Sequence, residues 1–475
     1  MKKMLALMLA LVMVFGLLTG CGSGNGSKDA ETTKAAEETK APEADTTKEA
    51  VETEAPAEDA VKLTIWTLAG DLKTFAEKYM EEHKNVTIET VVIDPGEYVD
   101  KTQTAILGGD KSIDIICGEP QMVGNMYDAG LFADLGALGG SEFEGQIVDY
   151  VWDVGTDADG VLRAISYQVT PAGFYYRTDI AEKVFGTSDA EEIGKYFATY
   201  DGIIDAAKKL KEAGYRIFAS DGETNYFSGD SAWVVDGKLN VDPSRVQYFD
   251  FATELYQGDY TAYAAAWSAP WYAAMAGPVP VLTADSDVNV WDGDAFAEAT
   301  EGYAQTEIFA YGLPAWGTLV MRDHYGDTKG KWGICGGPSY GFGGGTFVGV
   351  SELSEKKEEA YKFIQWMLSD ETLTWWIDKS EGDVVSKISV LEANKDFKNP
   401  LYNNQSTYAM WMKLAEGIDY SKVTQYDTII GNKWGEAIGK YKTGEMDKKA
   451  AYEFFYDEVA SAYPELTIER TLLED

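Results

Sequence analysis

The residues with chemistry to offer fall into two groups, and the first does not survive its own spacing. Gly337-Pro338-Ser339-Tyr340-Gly341 has the G-x-S-x-G spacing of a nucleophile elbow, which needs a helix directly after the serine to present its hydroxyl. Here Gly341-Phe342-Gly343-Gly344-Gly345 follows, a glycine run that disfavours helix. The only histidines are His83 and His324, both expected at surface positions outside any strand end, which leaves little for a Ser–His pair or a zinc site. Asp285-Ser286-Asp287-Val288-Asn289 opens like a calcium loop but lacks the following glycine. No phosphate-cradling glycine loop is present. Neither a metal nor a cofactor is therefore expected. A carboxylate pair for glycoside hydrolysis stays open, because acidic residues occur throughout. The second group is aromatic: Trp66, Trp267, Trp271, Trp291, Trp316 and Trp434 fall near expected loops or helix starts. Flat apolar rings beside planar side chains such as Asp, Glu, Gln or Arg suit a ligand with alternating C–H faces and hydroxyl edges, as a sugar has. Trp366, Trp375 and Trp376 sit in or after a helix with apolar neighbours and are expected in the core.

The elements that must position these residues alternate. Val61–Trp66 reads as a strand, Leu72–Met80 as a helix with Leu72, Phe75, Ala76 and Tyr79 on one face, and Val86–Val92 as a strand. A helix from Tyr98 to Leu107, a strand Ile113–Cys117 and a helix from Met122 to Ala129 follow. That order predicts an open parallel α/β sheet, in which ligands lie beyond the carboxyl ends of the strands. Thr67, Leu68, Gly70 and Asp71 follow the first strand, and Gly118, Glu119 and Gln121 the third. A turn at Asp159-Gly160 and a second α/β region over 200–345 come next, then helices at Lys356–Ser369, Trp434–Tyr441 and Lys448–Tyr463.

The amino terminus sets the compartment. Lys2 and Lys3 precede an unbroken apolar run from Met4 to Leu18, the pattern of an export signal over 1–20. At ~1.5 Å per residue the run is too short for a ~30 Å bilayer core. From Gly22 to Asp59, Ala, Glu, Thr, Lys and Pro dominate, so residues 21–60 are expected to be a disordered acidic tether spanning roughly 35 Å root-mean-square. About 400 residues remain from Val61, more than one core usually supports, which predicts two lobes. The net charge of −39 argues against nucleic acid or anionic lipid as a partner. Cys117 and Cys335, in apolar strand-like runs, are expected as small buried hydrophobes, with a disulfide between them left open.

Two resemblances follow from these residues. Leu18-Thr19-Gly20-Cys21 resembles the lipobox of bacterial lipoproteins, which implies acylation of Cys21 and anchoring of the mature chain to a membrane. The order of landmarks resembles the extracellular solute-binding proteins of sugar-import ABC transporters. These landmarks are the strand Val61–Trp66 with Asp71-Leu72; Asp114-Ile115-Ile116 followed by Ala129–Leu135; Tyr176–Asp179 with Phe185-Gly186; Gly343–Val350 leading into Lys356–Ser369 and Asp370-Glu371; and Lys442–Met446. The resemblance implies a two-lobed periplasmic-binding-protein-like α/β fold of type II. Lobe 1 would hold 61–165 plus 346–386 and lobe 2 would hold 166–345 plus 387–475, with crossings near 165, 345 and 387. It places Asp71 in the first ligand loop, Glu119 and Gln121 in the loop after the third strand, Tyr176 at the second lobe's aromatic, Asp285 where the site closes, and Trp434 on a helix that carries a stacking ring. Added to Trp66, Trp267, Trp271 and Trp316, these make up the expected ligand site. The implied function is binding of a carbohydrate, an oligosaccharide by expectation, and its delivery to an ABC permease by a monomer. A secreted carbohydrate-active enzyme, or the same fold holding a cation such as a polyamine, stays open as an alternative.

Overall fold

The computed structural model describes residues 60–474, so the expectations for the export signal, Cys21 and the tether lie outside the described residues. Two mixed sheets carry the molecule. The first has five strands in the spatial order Val86–Val92, Val61–Thr67, Ile115–Gly118, Phe347–Val350 and Ile165–Ser166. Its first three strands are parallel, and Phe347–Val350 runs antiparallel to both neighbours. The second has four strands in the order Trp332–Cys335, Ala172–Arg177, Ile308–Pro314 and Arg216–Phe218. Each sheet is covered by helices and so forms its own lobe.

Strand direction sets which ends meet between the lobes. In the first sheet, register brings Thr67, Gly118, Ser166 and Phe347 to one edge. In the second, Ala172 and Cys335 lie at the near end, and Ile308–Pro314 pairs parallel with Arg216–Phe218 so that both point their carboxyl ends the same way. The chain passes between sheets through 167–171 and 336–346, and returns past the first sheet at 383–387. These stretches lie side by side. Val169 N–H donates to Val384 O (2.8 Å), Ser386 N–H to Tyr167 O (2.9 Å) and Ala172 N–H to Gly341 O (2.8 Å). Backbone pairing across the crossings satisfies groups that would otherwise be buried unpaired.

Helix faces follow the spacing read from sequence: Leu72, Phe75, Ala76 and Tyr79 are the buried residues of helix Asp71–Glu82. One continuous core runs from the first sheet through Trp376, Tyr408 and Trp411 to Tyr175, Trp271 and Tyr311 on one side of the second sheet. A second core fills lobe 2 around Phe174, Phe197, Phe249 and Trp434. Cys117 and Cys335 are both free and buried, one in each sheet, so the open question of a disulfide is answered: they do not pair. No helix among the described residues is long and apolar enough to cross a membrane.

Candidate functional site

The site is built where the first sheet's strands end. Thr67 closes its strand with a tight turn, its hydroxyl accepting from Ala69 N–H at 2.9 Å. The turn delivers Asp71 as the first residue of helix Asp71–Glu82. Tyr98, fully buried, donates to Trp66 O (3.0 Å) and accepts from Cys117 N–H (2.9 Å). It ties the ends of the first and third strands together and fixes the spacing between the loops that carry Asp71 and Glu119.

Asp71 is half-buried and accepts from the Tyr167 hydroxyl at 2.8 Å. Burial raises its carboxyl pKa, opposed by the Tyr167 hydrogen bond and by Arg322 of the other lobe. Arg322 forks onto neighbouring Asp323 (2.8 and 3.2 Å) and reaches Ser380 O across the lobes at 3.4 Å. Glu119 precedes helix Pro120–Asp128 and accepts from the Gln121 side chain. Burial raises the Glu119 carboxyl too; burial first, and then the Glu119 charge, raises the hydroxyl of Tyr226, which belongs to lobe 2.

Between these walls runs a glycine-rich floor. A Cβ at Gly343 would fall 2.4 Å from the Tyr226 ring, and one at Gly344 would fall 2.8 Å from the Trp316 indole nitrogen. Gly344 also takes φ +68°, where a side chain is strained. The Trp316 indole donates to Gly343 O at 2.8 Å. Its ring stacks on Trp267 at 5.9 Å and 28°. Trp267 is 37% exposed at φ +69°, a costly conformation for a bulky residue.

Asp71 and Glu119 thus follow the ends of first-sheet strands, with exposed Gln121 beside Glu119, while Trp267 and Trp316 stack on each other beside the glycine run. Trp66 is half-buried, paired across the sheet with Val91 and Ile116 and packed against the core. Four expected site residues lie elsewhere. Tyr176 stands near the far end of Ala172–Arg177, a strand running away from the crevice and buried on both faces, and its hydroxyl donates to Ser188 O (2.8 Å). Trp434 is 2% exposed in the lobe 2 core, against Phe455 (4.8 Å) and Phe249 (5.1 Å). Asp285 is exposed in an outer loop, accepting from Thr283 at 2.7 Å. Trp271 is fully buried beneath Trp267, so it supports the wall rather than forming it.

Tyr167 and Arg322 lie beside Asp71, and Tyr226 beside Glu119, three residues that the sequence reading does not single out. Tyr167 and Tyr226 had a usable signal: Tyr167 follows directly on a crossing strand, and Tyr226 lies beyond the carboxyl end of Arg216–Phe218. Arg322 had none. Ser339 lies in the irregular crossing 336–346, with no helix after it. His83 and His324 are half-buried at the ends of separate helices, with Nδ1 near Tyr79 O (3.0 Å) and Val320 O (2.8 Å).

The chain resembles several solved structures. A protein described as extracellular solute-binding protein family 1 shares 20% identity over 85% of this chain and 99% of its own, with a TM-score of 0.66. An ABC transporter solute-binding protein from Thermotoga lettingae, bound to alpha-D-tagatose, shares 17% over 84% of this chain and 99% of its own (TM-score 0.62). The galacto-N-biose/lacto-N-biose I-binding protein of Bifidobacterium longum, bound to lacto-N-biose, shares 14% over 87% of this chain and all of its own (TM-score 0.63). No curated protein matches. These likenesses establish the two-lobed fold. Residues 74–382 match the model of the bacterial extracellular solute-binding proteins, and the chain belongs to that family.

Proposed function

We propose that this solute-binding protein captures a carbohydrate, with an oligosaccharide as the preferred form, between its lobes and hands it to an ABC permease. The observation that carries the reading is the pairing of walls. Asp71 on lobe 1 lies within electrostatic reach of Arg322 on lobe 2, and Glu119 within reach of Tyr226, whose ring meets Gly343 beside the stacked Trp316 and Trp267 rings. Ring faces stack on sugar C–H faces, and carboxylates accept from sugar hydroxyls. Relatives with this fold are described as bound to tagatose and lacto-N-biose.

As a member of an extracellular family the protein works outside the cytoplasmic membrane. Acylation of Cys21 would hold it there as a monomer on a tether of acidic residues. The bound sugar is released intact, with no covalent chemistry. The test is a melting screen against sugars, polyamines and peptides, since a ligand that binds only the folded state raises Tm. Stabilisation by an oligosaccharide recovered unchanged supports the reading. Turnover of the sugar would replace it with an enzyme. Stabilisation by a polyamine alone, lost on adding salt, would replace it with a cation carrier.

A further inference from the structure

Glu223 is a buried acid apart from Asp71 and Glu119. It is 2% exposed on the short turn Asp221–Phe227, which also brings Tyr226 to the crevice. One carboxylate oxygen accepts from the Trp271 indole N–H, and the other from Gly312 N–H at 3.0 Å. Trp271 in turn lies 4.7 Å from Trp267, and its backbone oxygen accepts from the Tyr311 hydroxyl at 3.0 Å. Gly312 sits on the strand Ile308–Pro314, which leads directly into Trp316. One side chain therefore ties together the helix beneath Trp267 and the strand before Trp316.

We propose that Glu223 is the positioning residue of the aromatic wall, holding Trp271 and Gly312 in the one arrangement that presents Trp267 and Trp316 to a ligand. The proposal rests on the reading that this wall contacts the ligand. Its chemistry is specific. Two N–H donors converge on two oxygens, which a carboxylate satisfies and an amide cannot, because the amide nitrogen would face a donor. A protonated carboxyl satisfies them less well, since its own proton must also be placed.

Burial without a cation partner raises this group to about 8, so its charge changes near neutral pH. The titratable groups around it are Asp221 and Tyr226 on its own turn, Tyr311 on the strand, Tyr248 on the helix behind, and Tyr272 beyond Trp271. Lys442 pairs with Asp221 instead. The wall is thus firmest when Glu223 is ionised.

The experiment follows the near-ultraviolet circular dichroism and tryptophan emission of the ligand-free protein from pH 6.5 to 9.5, in wild type, Glu223→Gln and Trp271→Phe. The wild-type signal is expected to titrate with a midpoint near 8, the Glu223→Gln signal to be shifted and flat, and the Trp271→Phe signal to titrate at higher pH, because the indole bond that favours the ionised form is gone. Loss of a hydrogen bond to a charged acceptor should also weaken binding of the tightest sugar from the melting screen about tenfold in Glu223→Gln. Its affinity for wild type should rise with pH, and for the variant stay level. A Glu223→Gln protein with wild-type spectrum, pH profile and sugar affinity overturns the proposal. If Glu223→Gln fails to fold, Trp271→Phe decides, because it keeps an aromatic ring and removes the indole N–H donor: a wild-type pH profile there overturns the proposal. A wall that titrates in a protein binding no sugar would count against the carbohydrate reading and leave the positioning role standing.

Discussion

At the residue scale, position along a strand separates a crevice tryptophan from a core one. Trp316 follows the carboxyl end of its strand and is half-buried, whereas Trp434 and Trp376 are packed on all sides. A stacked ring contributes on the order of 1–3 kcal/mol to a sugar complex, so Trp316→Ala should weaken binding about tenfold to a hundredfold with an unchanged far-ultraviolet spectrum. Trp434→Ala should lower stability by about 3–5 kcal/mol through its cavity and leave intrinsic affinity nearly intact. Calorimetric titration alongside chemical denaturation checks both. A Trp434→Ala protein that is fully stable but binds poorly would reverse the assignment. The sequence carried this distinction for Trp434. Helix Asp427–Lys442 begins about two turns before the expected start at Trp434, and Ile430, Trp434, Ala437 and Ile438 then share its buried face. Reading the helix from Trp434 onward made a core residue look like a helix-start residue. Tyr176 was misplaced for another reason: strand direction in the second sheet is set by long-range pairing, which local pattern does not encode.

At the scale of elements, the crossings decide how the lobes move. Gly344→Ala must place a methyl at φ +68° and within 2.8 Å of the Trp316 indole nitrogen. It should cost about 1–3 kcal/mol and weaken ligand binding by displacing the ring. Equal melting temperature and affinity in the variant would show that the glycine floor does not constrain Trp316. Asp383, at the third crossing, accepts from Gln168 (2.7 Å) and from the Trp376 indole (2.8 Å). Burial raises its carboxyl to about 6. The folded state then holds a proton that the unfolded chain releases, so this group's contribution to stability falls as pH rises from about 4 to 6. Denaturation of wild type and Asp383→Asn across that window should show a decline in the first that is smaller in the second. Identical slopes would remove Asp383 as its source. The first α/β stretch was legible because helix and strand periods are local. The crossings were legible only as approximate places, because the bonds joining 167–171 to 341–343 and 384–386 connect residues more than 150 positions apart.

At the scale of the whole molecule, two sheets with facing edges and a crevice between them make a device whose output is its shape. The family and the fold were legible because several landmarks occur in order along most of the chain, and no single landmark would have sufficed. Cys21→Ser should release the folded domain into the medium with ligand binding unchanged. Retention of the variant on membranes after a carbonate wash would contradict the anchor. The central claim is that a carbohydrate is held between the lobes, and solution scattering tests it most directly. Small-angle X-ray scattering should show the radius of gyration falling at saturating oligosaccharide, with tryptophan emission shifting at the same ligand concentration, since closure brings the carboxylate wall onto the aromatic one. Saturable binding with an unchanged scattering profile would place the ligand on one lobe alone and contradict the account.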